Sequence, residues 1–288
     1  VAGQADTERT LRLLAGAFAV RGVAIDVVQT GGPGDAERFA REGATRGYRA
    51  VVAVGGDGTV AEVITGLAGT GVPLGIIPKG TGNQVACNLG IPRAAEGAVE
   101  VAVNGAVQAI DLGRLADGRY FAVAAGAGWD AEVLAIATRE LKDRWGFGAY
   151  VYAGLRVGVS SVPALYRITA DGRCLEVKAA MVLVANMGQI AGALPSLPVR
   201  VGPAVSFHDG KLDVCIFAPR TLAGAAAVFW RMARGRYEGT DRMLFLQAEE
   251  VLVEADPAVI TEIDGEVIGQ TPLSARAVPG GIHVLVPK

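Results

Sequence analysis

The sequence predicts an α/β first domain, with a parallel sheet and flanking helices, followed by a mostly β, sandwich-like second domain. Up to about residue 105, short apolar strands alternate with helical patterns, which is typical of a parallel sheet covered by helices. From Val107 onward, β-branched runs separated by Asp-Gly turns indicate a sandwich or an open barrel. The 288 residues are 51% hydrophobic and 19% charged, which argues for a packed core and against disorder. We expect domains at 1–112 and 113–288, with the last strand, Ile282–Val286, returning to the first domain.

The elements of the first domain follow from the spacing of its apolar residues. Helical spacing predicts a helix over Asp6–Val20, and a β-branched run predicts a strand over Val23–Gln29. A glycine turn, Gly31–Gly34, then precedes a second helix. The further predicted elements are a helix capped by Asp35 or Gly34 that runs to about Arg46, a strand Arg49–Val54, a helix Val60–Ala68, a strand Pro73–Ile77, and helices Gln84–Leu89 and Arg93–Val103.

The second domain is predicted to contain seven strands and two helical insertions. The pairs Asp117-Gly118 and Asp171-Gly172 fit two-residue hairpin turns. Helical insertions are expected at roughly Trp129–Ser161 and Thr221–Gly235. The predicted strands are Val107–Leu115, Tyr120–Ala125, Ala164–Ala170, Cys174–Ala185, Lys211–Phe217, Leu244–Glu254 and Ala258–Ile263.

Bulk composition excludes several classes of function. The net charge of −2 argues against a strong general attraction to nucleic acid or to an anionic membrane, and no nucleic-acid partner is expected. The three widely spaced cysteines are interpreted as reduced core residues of a cytoplasmic protein, and two histidines cannot build a histidine metal cluster. The sequence has neither a signal peptide nor an apolar run of 18 residues.

The clearest chemical signal is a strand, Val51–Val54, that runs directly into the glycine turn Gly55–Thr59 and then into a helix. Glycine amides and a helix N-terminus together bind phosphate, and a carboxylate at Asp57 suggests a Mg²⁺–phosphate ligand, most simply ATP. The alternative is a tight turn capped by Asp57 or Thr59. A second turn, Gly80–Asn83, follows the next strand, and parallel strands end at one edge of a sheet. We therefore expect the two loops to meet.

Four motifs in this order, GGDGT (55–59), GTGN (80–83), HDGKLDV (208–214) and DGE (264–266), resemble the diacylglycerol kinase catalytic family. This family includes bacterial soluble lipid kinases and the sphingosine and ceramide kinases. The resemblance implies a first domain like that of NAD kinases and phosphofructokinases. It also implies ATP and Mg²⁺ as cofactors, and transfer of the γ-phosphoryl group to a lipid hydroxyl, above all that of diacylglycerol, giving phosphatidic acid. In the family a strand ending in Asn-Pro precedes a turn that Val1–Gln4 resembles, so a first strand is expected to be missing here.

The resemblance also assigns roles to individual residues. It makes Glu266 the base that accepts a proton from the lipid hydroxyl, Asp264 a supporting polar group, and Asp57 a catalytic residue acting on Mg²⁺ or its water shell. Two departures are Ala61, where relatives often carry Asn, and Gln84, where many carry Asp. A plain β-turn at 264–266 remains the alternative, as does a Thr30 that only bonds its own turn. The implied nucleotide-binding residues are Thr30, Gly55, Gly56, Asp57, Gly58, Thr59, Val60, Ala61, Gly80, Thr81 and Asn83.

A structural Mg²⁺ is implied at Ser206, Asp209 and Lys211, with main-chain carbonyls from the first and last of these. The alternative there is a turn that simply leads into a strand. Aromatic residues between Trp129 and Tyr152, and the pair Phe229 and Trp230 beside Arg231, Arg234 and Arg236, could face lipid, but core packing is favoured.

The expected partner is a lipid at a membrane surface, which the protein would meet as a peripheral protein, and a homodimer remains open. The rival interpretations are a kinase similar to NAD kinase and a non-catalytic nucleotide- or lipid-binding module.

Overall fold

A computed structural model describes residues 4–129, 131–132, 163–189, 199–219, 221–238 and 240–288. The chain divides into two compact units: Val1–Ala109 with Ile282–Lys288, and Ile110–Gly281. The first unit has a parallel sheet with helices and the second has antiparallel sheets, so the predicted fold class is confirmed.

The first unit is built on three parallel strands: β1 (Val51–Gly55), β2 (Leu74–Pro78) and the end of β14 (Leu273–Val286). β2 is buried along its whole length, as expected for an apolar strand in a covered parallel sheet. The helices are α1 (Gln4–Val20), α2 (Asp35–Thr45), α3 (Asp57–Leu67), α4 (Gln84–Asn88) and α5 (Ala95–Asn104).

Helices α2 and α3 pack at a glycine. A Cβ on Gly66 would lie 2.5 Å from the carbonyl oxygen of Glu37 and 2.8 Å from Cβ of Ala40. Only glycine allows the two backbones this close, so Gly66 lets α3, which begins at the glycine turn, pack directly against α2.

The predicted strand over Val23–Gln29 is wrong, because the segment has no regular secondary structure. Its apolar residues are largely in solvent: Ile25, Val27 and Val28 expose 36, 50 and 61% of their surface. A strand needs a neighbour for its backbone hydrogen bonds, and within the described residues β1 pairs only with β2. The β-branched residues favour a strand, but none forms because no strand in the described part of the chain pairs with this segment.

The second unit contains two sheets that enclose a common core. One has the order β10-β9-β8-β5-β12-β13, and the other includes β14-β11-β6-β7 together with β3 and β4. Phe121, Tyr166 and Leu212 are among the largest buried side chains between them. The strands are β3 (Ala106–Leu115), β4 (Tyr120–Phe121), β5 (Ala124–Gly128), β6 (Ala164–Ala170), β7 (Arg173–Ala179), β8 (Met181–Ala185), β9 (Leu212–Phe217), β10 (Met243–Ala248), β11 (Glu250–Asp256), β12 (Ile260–Ile263) and β13 (Glu266–Gln270), and the helix α6 spans Leu222–Ala233.

Two predicted long strands are each two strands in different sheets. The run Cys174–Ala185 breaks at Ala180 into β7 and β8, and the run Leu244–Glu254 breaks at Glu249 into β10 and β11. Both runs stay apolar or alternating across the break, so periodicity alone cannot show that the chain leaves one sheet for the other.

Candidate active site

The two glycine loops leave the same edge of the parallel sheet, as predicted. Gly55 and Pro78, the last residues of β1 and β2, are register partners, and the amide of Lys79 donates to the carbonyl of Gly55 at 2.8 Å. A Cβ on Gly80 would lie 2.6 Å from Cα of Gly56, and one on Gly56 would lie 3.2 Å from Cα of Gly80. The loops therefore touch backbone to backbone, which requires glycine at position 80 and leaves little room for a side chain at position 56.

The Asp57 carboxylate joins these loops. Its Oδ2 accepts the amide of Asn83 at 2.8 Å, and its Oδ1 accepts the amide of Gln84 at 2.6 Å. The acid thus caps the first turn of α4, where negative charge is favourable. A Cβ on Gly82 would lie 2.6 Å from Oδ2, so this glycine makes room for the contact. The predicted magnesium role of Asp57 would have to use the remaining lone pairs of the same oxygens.

Asn83 stabilises the second loop internally. It has a left-handed backbone with φ of 52°, which asparagine tolerates better than most residues. Its Oδ1 accepts the amide of Gly80 at 2.8 Å, and its Nδ2 donates to the carbonyl of Gly80 at 2.6 Å. The side chain predicted to bind nucleotide is thus engaged with its own turn, while Thr81 between them is exposed.

The N-terminus of α3 offers main-chain donors at this edge. The first intrahelical hydrogen bond runs from the amide of Val60 to the carbonyl of Gly56 at 3.1 Å, so the amides of residues 57–59 precede it. The N-cap residue is Gly56, which has no side chain to cap this end. A Cβ on Gly55 would lie 2.7 Å from Oγ1 of Thr59, so a side chain there would displace Thr59. The side chain of Val60 is buried, so only its main chain could take part in the predicted nucleotide binding.

Glu62 is a site residue that the sequence analysis missed. Its carboxylate oxygens accept the amides of Gly34 at 2.9 Å and Ala36 at 3.0 Å. It thereby caps α2 from a neighbouring helix and holds the turn that follows Thr30, which is itself exposed and without regular structure. Asp35, predicted as an alternative cap, instead accepts the amides of Gly31 and Gly32, and these bonds, led by Gly31, help lower its pKa. No sequence spacing links Glu62 to Gly34.

In the second unit, Asp264 and Gly265 form the two-residue turn between β12 and β13, with positive φ of 46° and 91°. The Asp264 carboxylate accepts three amides, from Ala122 and Val123 at 2.8 Å and from Ala124 at 3.0 Å. The acid therefore fastens the turn to the segment between β4 and β5. Glu266, the predicted base, follows directly as the exposed first residue of β13.

A buried polar network, which the sequence analysis also missed, contacts the same segment between β4 and β5. Asn186 is fully buried, and its Nδ2 donates to the carbonyls of Asp111 at 2.9 Å and Ala122 at 2.8 Å. The Asp111 carboxylate accepts the amides of Gly210 at 2.7 Å and Gly280 at 2.8 Å. The network thus connects the segment after β4 with the Asp209-Gly210 turn. Its only sequence signal was an acid within an apolar strand.

The HDG turn brings two carboxylates together. Nε2 of Gln247 donates to Asp209 at 3.3 Å and to Asp213 at 3.1 Å. Asp213 is only 8% exposed, its Oδ2 has no hydrogen-bond partner in the described part of the chain, and burial raises its pKa to about 6. Within the described ranges no three acidic, histidine or cysteine side chains form a metal cluster. A cation at the predicted Ser206, Asp209 and Lys211 would therefore depend on main-chain carbonyls.

The aromatic residues considered for lipid contact differ in outcome. Those between Trp129 and Tyr152 lie outside the described residues, apart from Trp129. Phe229 and Trp230 in α6 expose 44 and 51% of their surface, so the preference for core packing is wrong for this pair. None of the helices in the described part of the chain is long and apolar enough to span a bilayer.

Comparison with known proteins identifies the family. The diacylglycerol kinase catalytic domain matches residues 1–115, and the YegS C-terminal NAD kinase beta sandwich-like domain matches residues 123–286. A diacylglycerol kinase of Bacillus subtilis is 32% identical over 88% of this chain and 83% of its own length. One of Mycobacterium tuberculosis is 30% identical over 93% and 86%. An uncharacterized Synechocystis protein is 32% identical over 82% of this chain, which spans only 54% of that relative.

Solved structures agree with these matches. A crystal structure of a Bacillus anthracis protein has a TM-score of 0.82 at 26% identity, covering 99% of this chain and 91% of the other. The fold, the paired glycine loops and these comparisons define an enzyme of the lipid-kinase class. The chain belongs to the diacylglycerol kinase family, which confirms the resemblance seen in its four motifs.

Proposed function

We propose that this protein transfers the γ-phosphoryl group of ATP to the hydroxyl of diacylglycerol and releases ADP and phosphatidic acid. The observation that carries the proposal is the interlocked pair of glycine loops, with the Asp57 carboxylate holding both and the amides of α3 at their edge. The diacylglycerol kinases of Bacillus subtilis and Mycobacterium tuberculosis support the choice of substrate. Because diacylglycerol lies in a bilayer, the protein would act as a peripheral protein at a membrane surface.

The residues at this edge fit a nucleotide triphosphate. The amides of residues 57–59 would donate to phosphate oxygens, and the dipole of α3 would favour the negative charge. Side chains at Gly56, Gly80 or Gly82 would press on the facing loop or on Asp57, so glycine at these positions lets the two loops keep their contact beside the amides. Lys79, exposed beside the second loop, can add a positive charge. These groups stabilise charge on the transferring phosphoryl group without forming bonds to it.

Two magnesium ions are part of the proposal. One would accompany the ATP phosphates and neutralise their charge, and Asp57, whose oxygens each accept one amide, would hold one of its water ligands. The second is structural, at Ser206, Asp209 and Lys211. It is supported by the unpartnered buried oxygen of Asp213 and by the raised pKa of that acid, because a nearby cation would offset the burial of its charge.

Glu266 is proposed as the general base, because it is exposed and its position is tightly determined. Asp264, immediately before Gly265, receives three amides and so fixes the start of β13. A positioned carboxylate that takes the proton of a lipid hydroxyl typically contributes ~10²–10⁴-fold to the rate. In this account Asp264 is a positioning residue and Glu266 contacts the reacting hydroxyl.

The decisive experiment supplies γ-³²P-labelled ATP and Mg²⁺ with diacylglycerol in mixed micelles, and in parallel with NAD, sphingosine or ceramide. We expect label in phosphatidic acid. Label in NAD alone would reject the lipid substrate in favour of a reaction similar to that of NAD kinase. ATP binding without transfer to any acceptor would favour a non-catalytic module.

A further inference from the structure

Helix α6 has apolar residues on both of its faces. Gly224, Val228 and Met232 lie on the buried face at i, i+4 and i+8. The stripe Ala223, Ala226, Ala227 and Trp230, at i, i+3, i+4 and i+7, is exposed, and Phe229 beside it is also exposed. A helix in water normally turns polar side chains outward, so an apolar outer face indicates contact with another apolar phase.

Cations follow this stripe. Trp230 lies under the guanidinium of Arg234, 4.5 Å from the ring centroid, and Arg236 is exposed two residues later. Arg231 is half-buried and donates to the carbonyl of Glu238. Residues 221–242 contain four arginines and two acidic residues, in a chain whose net charge is −2. The positive charge is therefore local to the end of this helix.

We infer that the outer face of α6, defined as Ala223, Ala226, Ala227, Phe229 and Trp230 with Arg234 and Arg236, docks on an anionic lipid surface. An aromatic and apolar stripe that ends in arginines matches the boundary between acyl chains and charged headgroups. The stacked pair of Trp230 and Arg234 spans that boundary, with the indole toward the chains and the guanidinium toward phosphate. The docking would give access to a lipid substrate, and in that respect it rests on the proposed function. Vesicle binding itself can be measured without any phosphoryl transfer.

A second copy of the chain fits this face less well. A two-fold interface uses the same patch of both copies, so on this face each copy would contribute only the exposed side of one helix. A helix of 12 residues is about 18 Å long and about 10 Å wide. The face it offers is on the order of 200 Å², well below the roughly 800 Å² per partner of a stable interface.

The test is co-sedimentation with vesicles of phosphatidylcholine containing 30% phosphatidylglycerol, compared with pure phosphatidylcholine. The double variant Phe229→Ser/Trp230→Ser should lose at least ten-fold in its partition coefficient on the anionic vesicles. Arg234→Ser should lose about five-fold, since a cation at an anionic surface contributes about 1 kcal/mol. The matched controls are Leu13→Ser/Val107→Ser, which also remove two exposed apolar side chains, and Arg173→Ser, which also removes one exposed arginine.

The inference is overturned if the wild type does not bind anionic vesicles, or if both α6 variants bind like the controls. It is equally overturned if analytical ultracentrifugation shows a wild-type dimer that the double variant converts to monomer with vesicle binding unchanged. Phosphoryl transfer measured in detergent micelles separates this result from the proposed function. The α6 variants should keep wild-type micellar activity. A wild type that is inactive in micelles but binds vesicles through α6 would refute only the proposed function.

Discussion

The carboxylate of Asp57 allows a direct test of whether it serves mainly backbone amides or a metal ion. In Asp57→Asn the side-chain oxygen can still accept one amide, but its NH₂ group faces the other as donor against donor. A hydrogen bond to a charged group contributes about 1.5–3 kcal/mol, and loss of a helix cap costs about 0.5–2 kcal/mol. We therefore expect the free energy of unfolding of the first unit to fall by about 2–3 kcal/mol.

This loss is measured by urea unfolding in Mg²⁺-free buffer, with ATP binding by calorimetry in the presence and absence of Mg²⁺. Affinity for ATP should fall under both conditions, because the two loops no longer hold each other. The matched control is Asp35→Asn, whose carboxylate also accepts two amides, from Gly31 and Gly32, but away from the loop pair. An Asp57→Asn protein of unchanged stability, in which only the Mg²⁺ dependence of ATP binding disappears, would refute the reasoning.

Three further predictions concern the second unit. Glu266→Gln should lower kcat by ~10²–10⁴-fold while ATP still binds, and equal rates in the two proteins would contradict its role as base. Asp264→Asn should lower kcat at unchanged ATP affinity, because three amides lose a carboxylate acceptor, and an unchanged kcat would count against a positioning role. Burial raises the pKa of Asp213 to about 6, so between pH 4 and 6 the folded protein retains a proton that the unfolded chain releases. Its contribution to stability therefore declines, by at most about 3 kcal/mol, as pH rises through this window. From pH 4.5 to 7.5 in EDTA, the urea midpoint of Asp213→Asn should fall less, or rise more, than that of the wild type, and parallel profiles would assign the effect to another group.

The sequence predicted the parts of the fold that follow from local pattern. Helical spacing located α2 and α3, and adjacent parallel strands implied that the loops at Gly56 and Gly80 meet. The sequence pattern failed where pairing or packing with another element decides the local structure. Val23–Gln29 has strand composition without a ladder, and the breaks at Ala180 and Glu249 occur because the chain changes sheets. The exposure of Trp230 likewise depends on what packs against α6, which an apolar helical stretch does not specify.

The candidate functional residues show the same division, because two acids in each unit bind backbone amides far away in the chain. Asp57 accepts amides 26 and 27 residues away, Glu62 accepts them 26 and 28 away, Asp111 accepts them 99 and 169 away, and Asp264 accepts them 140 to 142 away. Such separations leave no spacing signal in a sequence. A buried or half-buried amide without a partner costs about 1–3 kcal/mol, so each acid stabilises a loop that would otherwise be poorly satisfied.

This arrangement changes how the acids of the two motifs are interpreted. A carboxylate that accepts two or three backbone amides is held in one place by them. Asp57 and Asp264 are therefore better suited to positioning their loops than to reacting with a substrate. Under the proposed function, the groups that contact the reactants are the amides at the start of α3 and the exposed carboxylate of Glu266, two residues after Asp264. Within the DGE motif, Asp264 accepts three backbone amides whereas Glu266 is exposed, so the proposal assigns positioning to the first acid and proton transfer to the second.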